Sequence, residues 1–262
     1  MCYDLDARPP LPPIGGAAAD AGEITLTSAD GTRVAAYAAR AAAADAPGVV
    51  ILPDVRGLHP FFEELALRFA EAGINAVAID YFSRTAGTGR RGEGFEYMPH
   101  VAQAEPAALT ADTAAAVGYL RSPEGGSAAQ VYTVGFCFGG RLSSLQAAAG
   151  HGLAGVISFY GVPVGPNRAG LPAPADEAPR FSGRVLAIYG GADEGIPAAA
   201  RDAYDRALDE AGIEHRTVVY PDAPHSFFDR RAFEFASASE DAWREVLGFV
   251  GVASSASPSG VA

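Results

Sequence analysis

Lysine is absent from this sequence, cysteine occurs only twice, and no apolar run is long enough to span a bilayer. Cys2 lies near the start of the chain and Cys137 near its middle, so we expect no structural disulfide. No group of cysteines and histidines has the spacing of a metal site. The 19 arginines are outnumbered by 31 acidic residues, and the net charge is −12. Such an acidic surface repels phosphate, which argues against nucleic acid and anionic membrane as partners.

The two ends of the chain differ in composition from the part between them. Residues 1–6 are acidic where a secretory signal is basic, and no apolar segment follows before the prolines, so we expect a cytoplasmic protein. Residues 1–22 are rich in proline, glycine and alanine and predict an arm that lies over the surface. Residues 252–262 are rich in serine and alanine and predict a disordered tail. No linker divides residues 23–251, which predicts a single domain.

Apolar runs and helical patterns alternate along these residues. The runs predict strands at 24–26, 33–39, 48–52, 75–79, 131–134, 155–160, 185–189 and 216–220, the first two joined as a hairpin. Apolar periodicity predicts helices at 60–72, 107–120, 141–149, 197–211 and 233–250. The alternation is typical of an α/β fold with a mostly parallel central sheet and helices on both faces.

Two longer segments fit neither pattern. Residues 85–106 show no periodicity, and an irregular segment of this length in a compact domain is usually a functional lid or a mobile insertion. Residues 162–179 are rich in proline and predict a loop. We expect both segments to shape a binding pocket.

The run at 131–134 ends in a motif with a chemical meaning, Gly-Phe-Cys-Phe-Gly at residues 135–139. A strand, a tight turn and a helix around Gly-x-Cys-x-Gly are typical of a nucleophile elbow, here with cysteine where serine is usual. The glycines keep Cβ atoms out of the space where strand and helix nearly touch. The turn puts the Cys137 thiol at a helix N-terminus, which favours the thiolate. The alternative is a buried structural cysteine beside a glycine-rich turn.

A cysteine nucleophile needs a base, and the base needs a group that orients it. In elbow enzymes of this architecture, the acid and then the histidine follow the nucleophile along the chain. Three histidines follow Cys137, and we expect two of them, His151 and His215, to lie at the surface. His225 comes after a strand and a Pro-Asp-Ala-Pro turn, where a loop at the edge of the sheet would present a base.

The remaining parts of the site are predicted from the neighbouring strands. The acid is expected after the penultimate strand, where Asp193 lies in a glycine-rich loop and Glu194 is the fallback. An oxyanion hole needs two N–H donors. The first is the N–H of Phe138, directly after the nucleophile, and the second belongs to the loop after the strand at 48–52, where we choose Val55.

Three motifs together resemble the dienelactone hydrolase family of α/β-hydrolases. They are GFCFGG at residues 135–140, GGAD at 190–193 and PHSF at 224–227, and the resemblance extends from about residue 24 to residue 250. It implies the α/β-hydrolase fold. It also implies a triad of Cys137, Asp193 and His225 that hydrolyses an ester or lactone without a metal or organic cofactor.

The resemblance also assigns roles to residues outside the triad. In the best-known members, a glutamate after the early strand hydrogen-bonds the resting thiol, and substrate binding frees the cysteine to become thiolate. Asp54 occupies that position and has one methylene fewer. Arginines in the family hold the substrate carboxylate, and Arg84 matches the first of them. The second arginine corresponds to Asp229, so the sequence departs from the family there.

These observations predict a hydrolase that cleaves a small carboxylic ester or lactone through a thioester acyl-enzyme. Two alternatives stay open from the sequence. One is a protein of the same fold that binds a small ligand without catalysis, and the other is thioester cleavage or another acyl transfer at the same site. Nothing in the sequence marks an interface between copies of the chain, so monomer and homodimer are equally open.

Overall fold

The computed structural model describes residues 8–11, 18–92, 94–167, 169–229 and 231–252. Eight strands form one sheet in these residues: β1 (Ala18–Thr27), β2 (Arg33–Ala41), β3 (Gly48–Leu52), β4 (Asn75–Ile79), β5 (Val131–Phe136), β6 (Gly155–Phe159), β7 (Arg184–Gly190) and β8 (His215–Tyr220). Their order across the sheet is β1-β2-β4-β3-β5-β6-β7-β8. β2 pairs antiparallel with both β1 and β4, and all the other neighbouring strands are parallel. The predicted α/β fold with a mostly parallel sheet is therefore confirmed.

Helices cover the sheet. They are α1 (Pro60–Glu71), α2 (Ser83–Ala86), α3 (Tyr97–Ala102), α4 (Pro106–Arg121), α5 (Phe138–Gln146), α6 (Pro174–Glu177), α7 (Ala198–Glu210) and α8 (Ala236–Val250), with a 3₁₀ turn at Ala178–Arg180. Every residue of β3, β4, β5 and β6 is buried. This burial on both faces explains why these strands read as continuous apolar runs rather than as alternating patterns.

The first helix shows how the sequence pattern becomes packing. α1 begins at a proline, which has no N–H to leave unsatisfied, and it buries Phe61, Leu65 and Phe69 along one face. Each of these side chains contributes about 1.5–3 kcal/mol through the apolar surface it removes from water. Gly73 ends the helix with φ 87°, a left-handed conformation that favours glycine.

Several elements differ from their predicted bounds, among them the elbow helix α5, which spans Phe138–Gln146 instead of 141–149. The proline-rich segment 162–179, predicted as a loop, contains α6. β1 begins at Ala18 instead of residue 24, because its backbone pairs with β2 as far as Ala41. The prediction missed residues 18–22 because they are mostly alanine and glycine and show no strand pattern. The irregular segment 85–106 contains α3, which is too short to show periodicity. The last helix begins at Ala236 instead of residue 233, and Phe233 is 86% exposed.

Parts of the predicted arm and tail, residues 1–7, 12–17 and 253–262, lie outside the described residues. The division into an arm, one domain and a tail therefore stays a prediction. No helix in the described ranges combines the length and the apolar character that crossing a bilayer requires.

Candidate active site

Cys137 lies in the turn between β5 and α5 with φ 55° and ψ −110°. A positive φ is strained for a residue with a side chain, and such strained residues cluster at active sites. The backbone N–H of Cys137 donates to the carbonyl of Phe159 at the end of β6 (3.0 Å), and its carbonyl accepts from the N–H of Arg141 (3.2 Å). The residue is half-buried and is not in a disulfide. The strand, turn and helix of the predicted elbow are therefore present.

The two glycines of the motif allow this turn because helix and strand cross almost in contact. A Cβ atom on Gly135 would lie 1.8 Å from the carbonyl oxygen of Gly139. A Cβ atom on Gly139 would lie 2.1 Å from the carbonyl oxygen of Leu52 in β3. Neither space can hold a carbon atom, so the elbow requires glycine at both positions.

The two predicted oxyanion donors belong to neighbouring elements. Phe138 is the first residue of α5, and the first four N–H groups of a helix have no carbonyl partner within the helix. Val55 follows β3, the strand beside β5. Both residues line the same cavity as Cys137. Their role as an oxyanion hole stays a prediction.

His225 and Asp193 lie in the loops after β8 and β7, and the structure brings them into direct contact. His225 Nδ1 is 2.6 Å from Asp193 Oδ2. The other carboxylate oxygen accepts from the N–H of Gly195 (2.9 Å), which fixes the orientation of the buried acid. The loops are also joined by a bond from the N–H of Ala192 to the carbonyl of Ala223 (3.0 Å). A carboxylate at Nδ1 keeps that proton in place and leaves Nε2 free to exchange a proton with a substrate or nucleophile.

The fallback acid and the two other histidines that follow Cys137 do not share the surroundings of Asp193 and His225. Glu194 is exposed, and its neighbour Asp193 makes the contact to His225. His151 Nε2 lies 3.1 Å from Gln146 Oε1, and burial lowers the pKa of this histidine. His215 Nδ1 lies 3.0 Å from the carbonyl of Ile213. Within the described residues, no three His, Cys, Asp or Glu side chains are grouped as metal ligands.

Sequence reasoning gave no role to Tyr160, which directly follows β6 at the same edge of the sheet. Its ring is completely buried, with its centroid 4.9 Å from that of His225. Its hydroxyl donates to Asp229 Oδ2 at 2.5 Å. Burial, and then the charge of Asp229, raise the pKa of Tyr160 well above 10. Its position at the end of a buried parallel strand was the one signal in the sequence that could have pointed to it.

Asp54 is buried in the loop after β3. Its Oδ1 accepts from the N–H of Arg56 (2.9 Å), and its carbonyl accepts from the hydroxyl of Tyr81. The charge of Asp54 is a minor cause of the raised pKa of Tyr160, after burial and the charge of Asp229. Its predicted bond to the resting thiol stays a prediction.

Arg84 is held by acidic side chains away from the cavity at Cys137. Its guanidinium group bonds the completely buried carboxylate of Asp112 through Nε (3.0 Å) and NH2 (2.7 Å). Its NH1 bonds Asp30 (2.5 Å) and the hydroxyl of Thr32 (2.9 Å). These contacts give Arg84 a structural role, and they do not favour its predicted role as a carboxylate clamp for the substrate.

A cavity of about 420 Å³ opens beside Cys137. Its walls come from the elbow, the loop after β3 and both irregular segments predicted to shape a pocket; the lining residues are Val55, Tyr97, Met98, Val101, Cys137, Phe138, Arg141, Val162, Pro166, Asn167 and Ala169. Most of these side chains are apolar. The cavity therefore suits a small organic molecule with a largely apolar body.

Arg141 ties one wall of this cavity to the elbow helix. Its buried guanidinium group donates to the carbonyl oxygens of four residues between Val162 and Pro172: Val162, Gly165, Leu171 and Pro172. Burial lowers the pKa of Arg141, and the charge of Asp176 opposes this shift. One side chain from α5 thus holds the proline-rich loop in place beside the cavity at Cys137.

The model of the dienelactone hydrolase family matches residues 34–254 of this chain. Two relatives, from Methylorubrum extorquens and Salmonella typhimurium, are each 31% identical to this chain. Each match covers 86% of this chain, together with 79% of the Methylorubrum protein and 84% of the Salmonella protein. Both relatives are provisionally named carboxymethylenebutenolidase. A solved structure from Klebsiella pneumoniae, provisionally described as a dienelactone hydrolase, has a TM-score of 0.78 at 28% identity and covers 88% of this chain and 98% of its own. The family match includes the elbow and the loops that carry Asp193 and His225, and the chain therefore belongs to the dienelactone hydrolase family of α/β-hydrolases.

Proposed function

We propose that this protein hydrolyses a carboxylic ester or lactone through a triad of Cys137, His225 and Asp193. The observation that carries the proposal is the 2.6 Å contact between His225 and Asp193, at the edge of the sheet where the Cys137 elbow opens into a cavity. Tyr160 links the two halves of the site, because its ring packs against His225 and the carbonyl of the preceding residue, Phe159, accepts the N–H of Cys137. Membership of a hydrolase family supports the same activity.

The first half-reaction forms a thioester. His225 Nε2 takes the proton from the Cys137 thiol while Sγ bonds to the carbonyl carbon of the substrate, and the π electrons of the C=O bond move onto oxygen. The N–H groups of Phe138 and Val55 stabilise this oxyanion. The C=O bond then re-forms and the C–O bond to the leaving oxygen breaks. That oxygen takes the proton from His225 and leaves as an alcohol or enol, or stays attached to the acyl chain if the substrate is a lactone.

The second half-reaction releases the acid. Water enters beside the thioester, His225 takes one of its protons, and the oxygen attacks the same carbonyl carbon. When the tetrahedral intermediate collapses, the C–S bond breaks and sulfur takes the proton back from His225. The products are a carboxylic acid and the original thiol, so the cycle uses one water and needs no other reactant.

Asp193 contributes by controlling the imidazole. Its carboxylate fixes the tautomer with the proton on Nδ1 and stabilises the imidazolium that forms in both half-reactions. Its own orientation is fixed by the N–H of Gly195. We therefore assign Asp193 to the orientation of the base and Cys137 and His225 to the bond-making steps.

The apolar cavity supports substrates with an uncharged, compact acyl or leaving group. Two relatives carry the name carboxymethylenebutenolidase, which points to a lactone with an enol leaving group and a carboxyl group. The mostly apolar cavity supports the lactone part of such a molecule and not its carboxyl group. An enol is a good leaving group, which suits a stabilised thiolate nucleophile. We therefore propose enol esters and enol lactones as the first substrates to examine.

The experiment is steady-state hydrolysis of a panel of chromogenic esters and unsaturated lactones by the full-length protein. We expect turnover by the wild type and its loss in Cys137→Ala, with Cys2→Ala as the matched control for the other cysteine. Quenching the reaction with acid should trap an acyl adduct, whose mass identifies the acyl group, on the peptide that contains Cys137. The proposal fails if no member of the panel is cleaved, or if Cys137→Ala keeps wild-type activity.

A further inference from the structure

We propose that Tyr160 is a positioning residue. Through its hydrogen bond to Asp229 it holds the imidazole of His225 in position relative to the thiol of Cys137. The inference rests on the proposed function, because it concerns the same base and nucleophile. It assigns a role to Asp229, the position that the family resemblance matches to an arginine.

The backbone around Tyr160 is joined to the nucleophile. The carbonyl of Phe159, the preceding residue, accepts the N–H of Cys137 at 3.0 Å. The N–H of Tyr160 donates to the carbonyl of Ile188 in β7 at 2.7 Å. Tyr160 itself has φ 40°, a left-handed conformation that is strained for a tyrosine. The chain therefore leaves β6 in a fixed, unfavourable conformation that directs this ring into the site.

The side chain of Tyr160 contacts the turn that carries the base at three points. Its ring packs at a tilt of 55° against the imidazole of His225, with centroids 4.9 Å apart. The same ring lies edge-on to Phe227 at 5.9 Å. Its hydroxyl donates to Oδ2 of Asp229 at 2.5 Å. Because these three residues fall within five positions of one turn, a single side chain restrains the whole turn.

The hydrogen bond to Asp229 is suited to hold this arrangement. Tyr160 and Asp229 are both buried, and a short bond to a charged acceptor is stronger than a bond between neutral groups. Burial, and then the charge of Asp229, raise the pKa of Tyr160 well above its ordinary value, so its hydroxyl stays a hydrogen-bond donor. His225 has Asp193 at Nδ1 and Tyr160 against its ring, so its position is fixed in two directions.

Four variants test the hydrogen bond between Tyr160 and Asp229 separately from the packing of the two side chains. Tyr160→Phe removes the hydroxyl and keeps the ring, Asp229→Leu removes the acceptor, and Asp229→Asn keeps an acceptor oxygen. The fourth variant combines Tyr160→Phe with Asp229→Leu. Tyr220→Phe is the matched control, because the hydroxyl of Tyr220 bonds Asp241 at 2.9 Å and its ring packs on Phe227 at 5.2 Å.

We expect Tyr160→Phe to lower kcat by about tenfold with KM changed less than about twofold, because a misplaced base slows proton transfer without altering the cavity. Asp229→Leu should have the same effect, and the double variant should be no slower than either single variant, since both remove one interaction. Asp229→Asn should keep kcat within about threefold of wild type, and Tyr220→Phe should match wild type. Circular dichroism and thermal melting show that each variant is folded.

The inference is overturned if folded Tyr160→Phe keeps wild-type kcat, or if the two single effects multiply in the double variant. It is also overturned if KM rises while kcat is unchanged, because the side chain would then act on substrate binding. An equal loss in Tyr220→Phe would show a general effect on the turn and would contradict a specific role. Each of these results requires an active wild type, so failure of the proposed function would already be visible as a wild type without activity.

Discussion

The imidazole Nδ1 of His225 lies 2.6 Å from Oδ2 of Asp193, although 32 positions separate the two residues along the chain. β7 and β8 are parallel neighbours, so the loops after them begin at the same edge of the sheet and can share a hydrogen bond. In the proposed mechanism, this pair is the part of the site that transfers protons. We therefore expect this pair to be the part of the site most sensitive to isosteric substitution.

Asp193→Asn should lower kcat by about 10³- to 10⁴-fold with little change in folding, because an amide at this position favours the wrong imidazole tautomer. The matched control is Glu194→Gln, which removes the neighbouring exposed carboxylate and should leave kcat unchanged. Steady-state kinetics with the best ester of the panel provide the measurement. If both variants lose activity equally, or if neither does, Asp193 is not the group that orients the base.

Gly139→Ala should destabilise the protein by at least about 2 kcal/mol and abolish activity, because the new Cβ would lie 2.1 Å from the carbonyl oxygen of Leu52. Gly118 in α4 is the control, since it is exposed and a Cβ there meets no atom within 4 Å. Gly118→Ala should stabilise the protein by about 0.5–1 kcal/mol through helix propensity. Urea unfolding of the two variants measures both effects, and similar free energies of unfolding would contradict the close crossing of α5 and β3.

Arg84→Met should lower the free energy of unfolding by about 3 kcal/mol, because it leaves the buried carboxylate of Asp112 without its cation. The KM of an uncharged ester should stay unchanged. Arg90→Met is the control, because the guanidinium group of Arg90 is largely exposed beside Glu63 and should contribute less than about 1 kcal/mol. A selective rise in KM for lactones that carry a carboxylate would instead support the substrate-binding role that the family resemblance assigned to Arg84.

Arg141→Met should raise KM several-fold and lower kcat less, because the loop that it holds forms one wall of the cavity. The loss of the hydrogen bonds that the charged guanidinium group donates to the loop should also lower the free energy of unfolding by about 2 kcal/mol. Arg121→Met is a suitable comparison, since Arg121 donates to the carbonyl of Gly152 at an exposed site outside the cavity. An unchanged KM in Arg141→Met would show that the loop keeps its position without the arginine.

The buried His59 should make stability fall in acid. Burial, and then the charge of Arg56, lower its pKa from 6.5 to about 3. Between these two values the unfolded chain binds a proton that the folded chain does not, so the free energy of unfolding falls as pH falls from 6.5 towards 3. The slope contributed by this group reaches about 1.4 kcal/mol per pH unit. His59→Asn should remove that part of the slope in urea titrations between pH 4 and 7, and equal slopes for both proteins would contradict it.

Much of the fold could be predicted because its signals are local. The continuous runs at 48–52 and 75–79 have the same bounds as β3 and β4, since a strand covered on both faces must be apolar throughout. The turn at Cys137 was also visible, because the glycines that its geometry requires lie within five residues. β1 was predicted too short, because its first residues are mostly alanine and glycine and have no alternating pattern. α3 was missed, because a helix of six residues is too short to show periodicity.

The sequence by itself determined the α/β alternation, the elbow and the order in which the cysteine, acid and histidine follow one another. Only the tertiary structure decided which groups touch: Tyr160 contacts Asp229, Arg84 pairs with Asp112, and Arg141 holds the proline-rich loop. The physical reason is the range of the forces involved. Propensity and burial act on neighbouring residues and leave a pattern along the chain. Hydrogen bonds between loops depend on distances across the edge of the sheet, which exist only after the strands have paired.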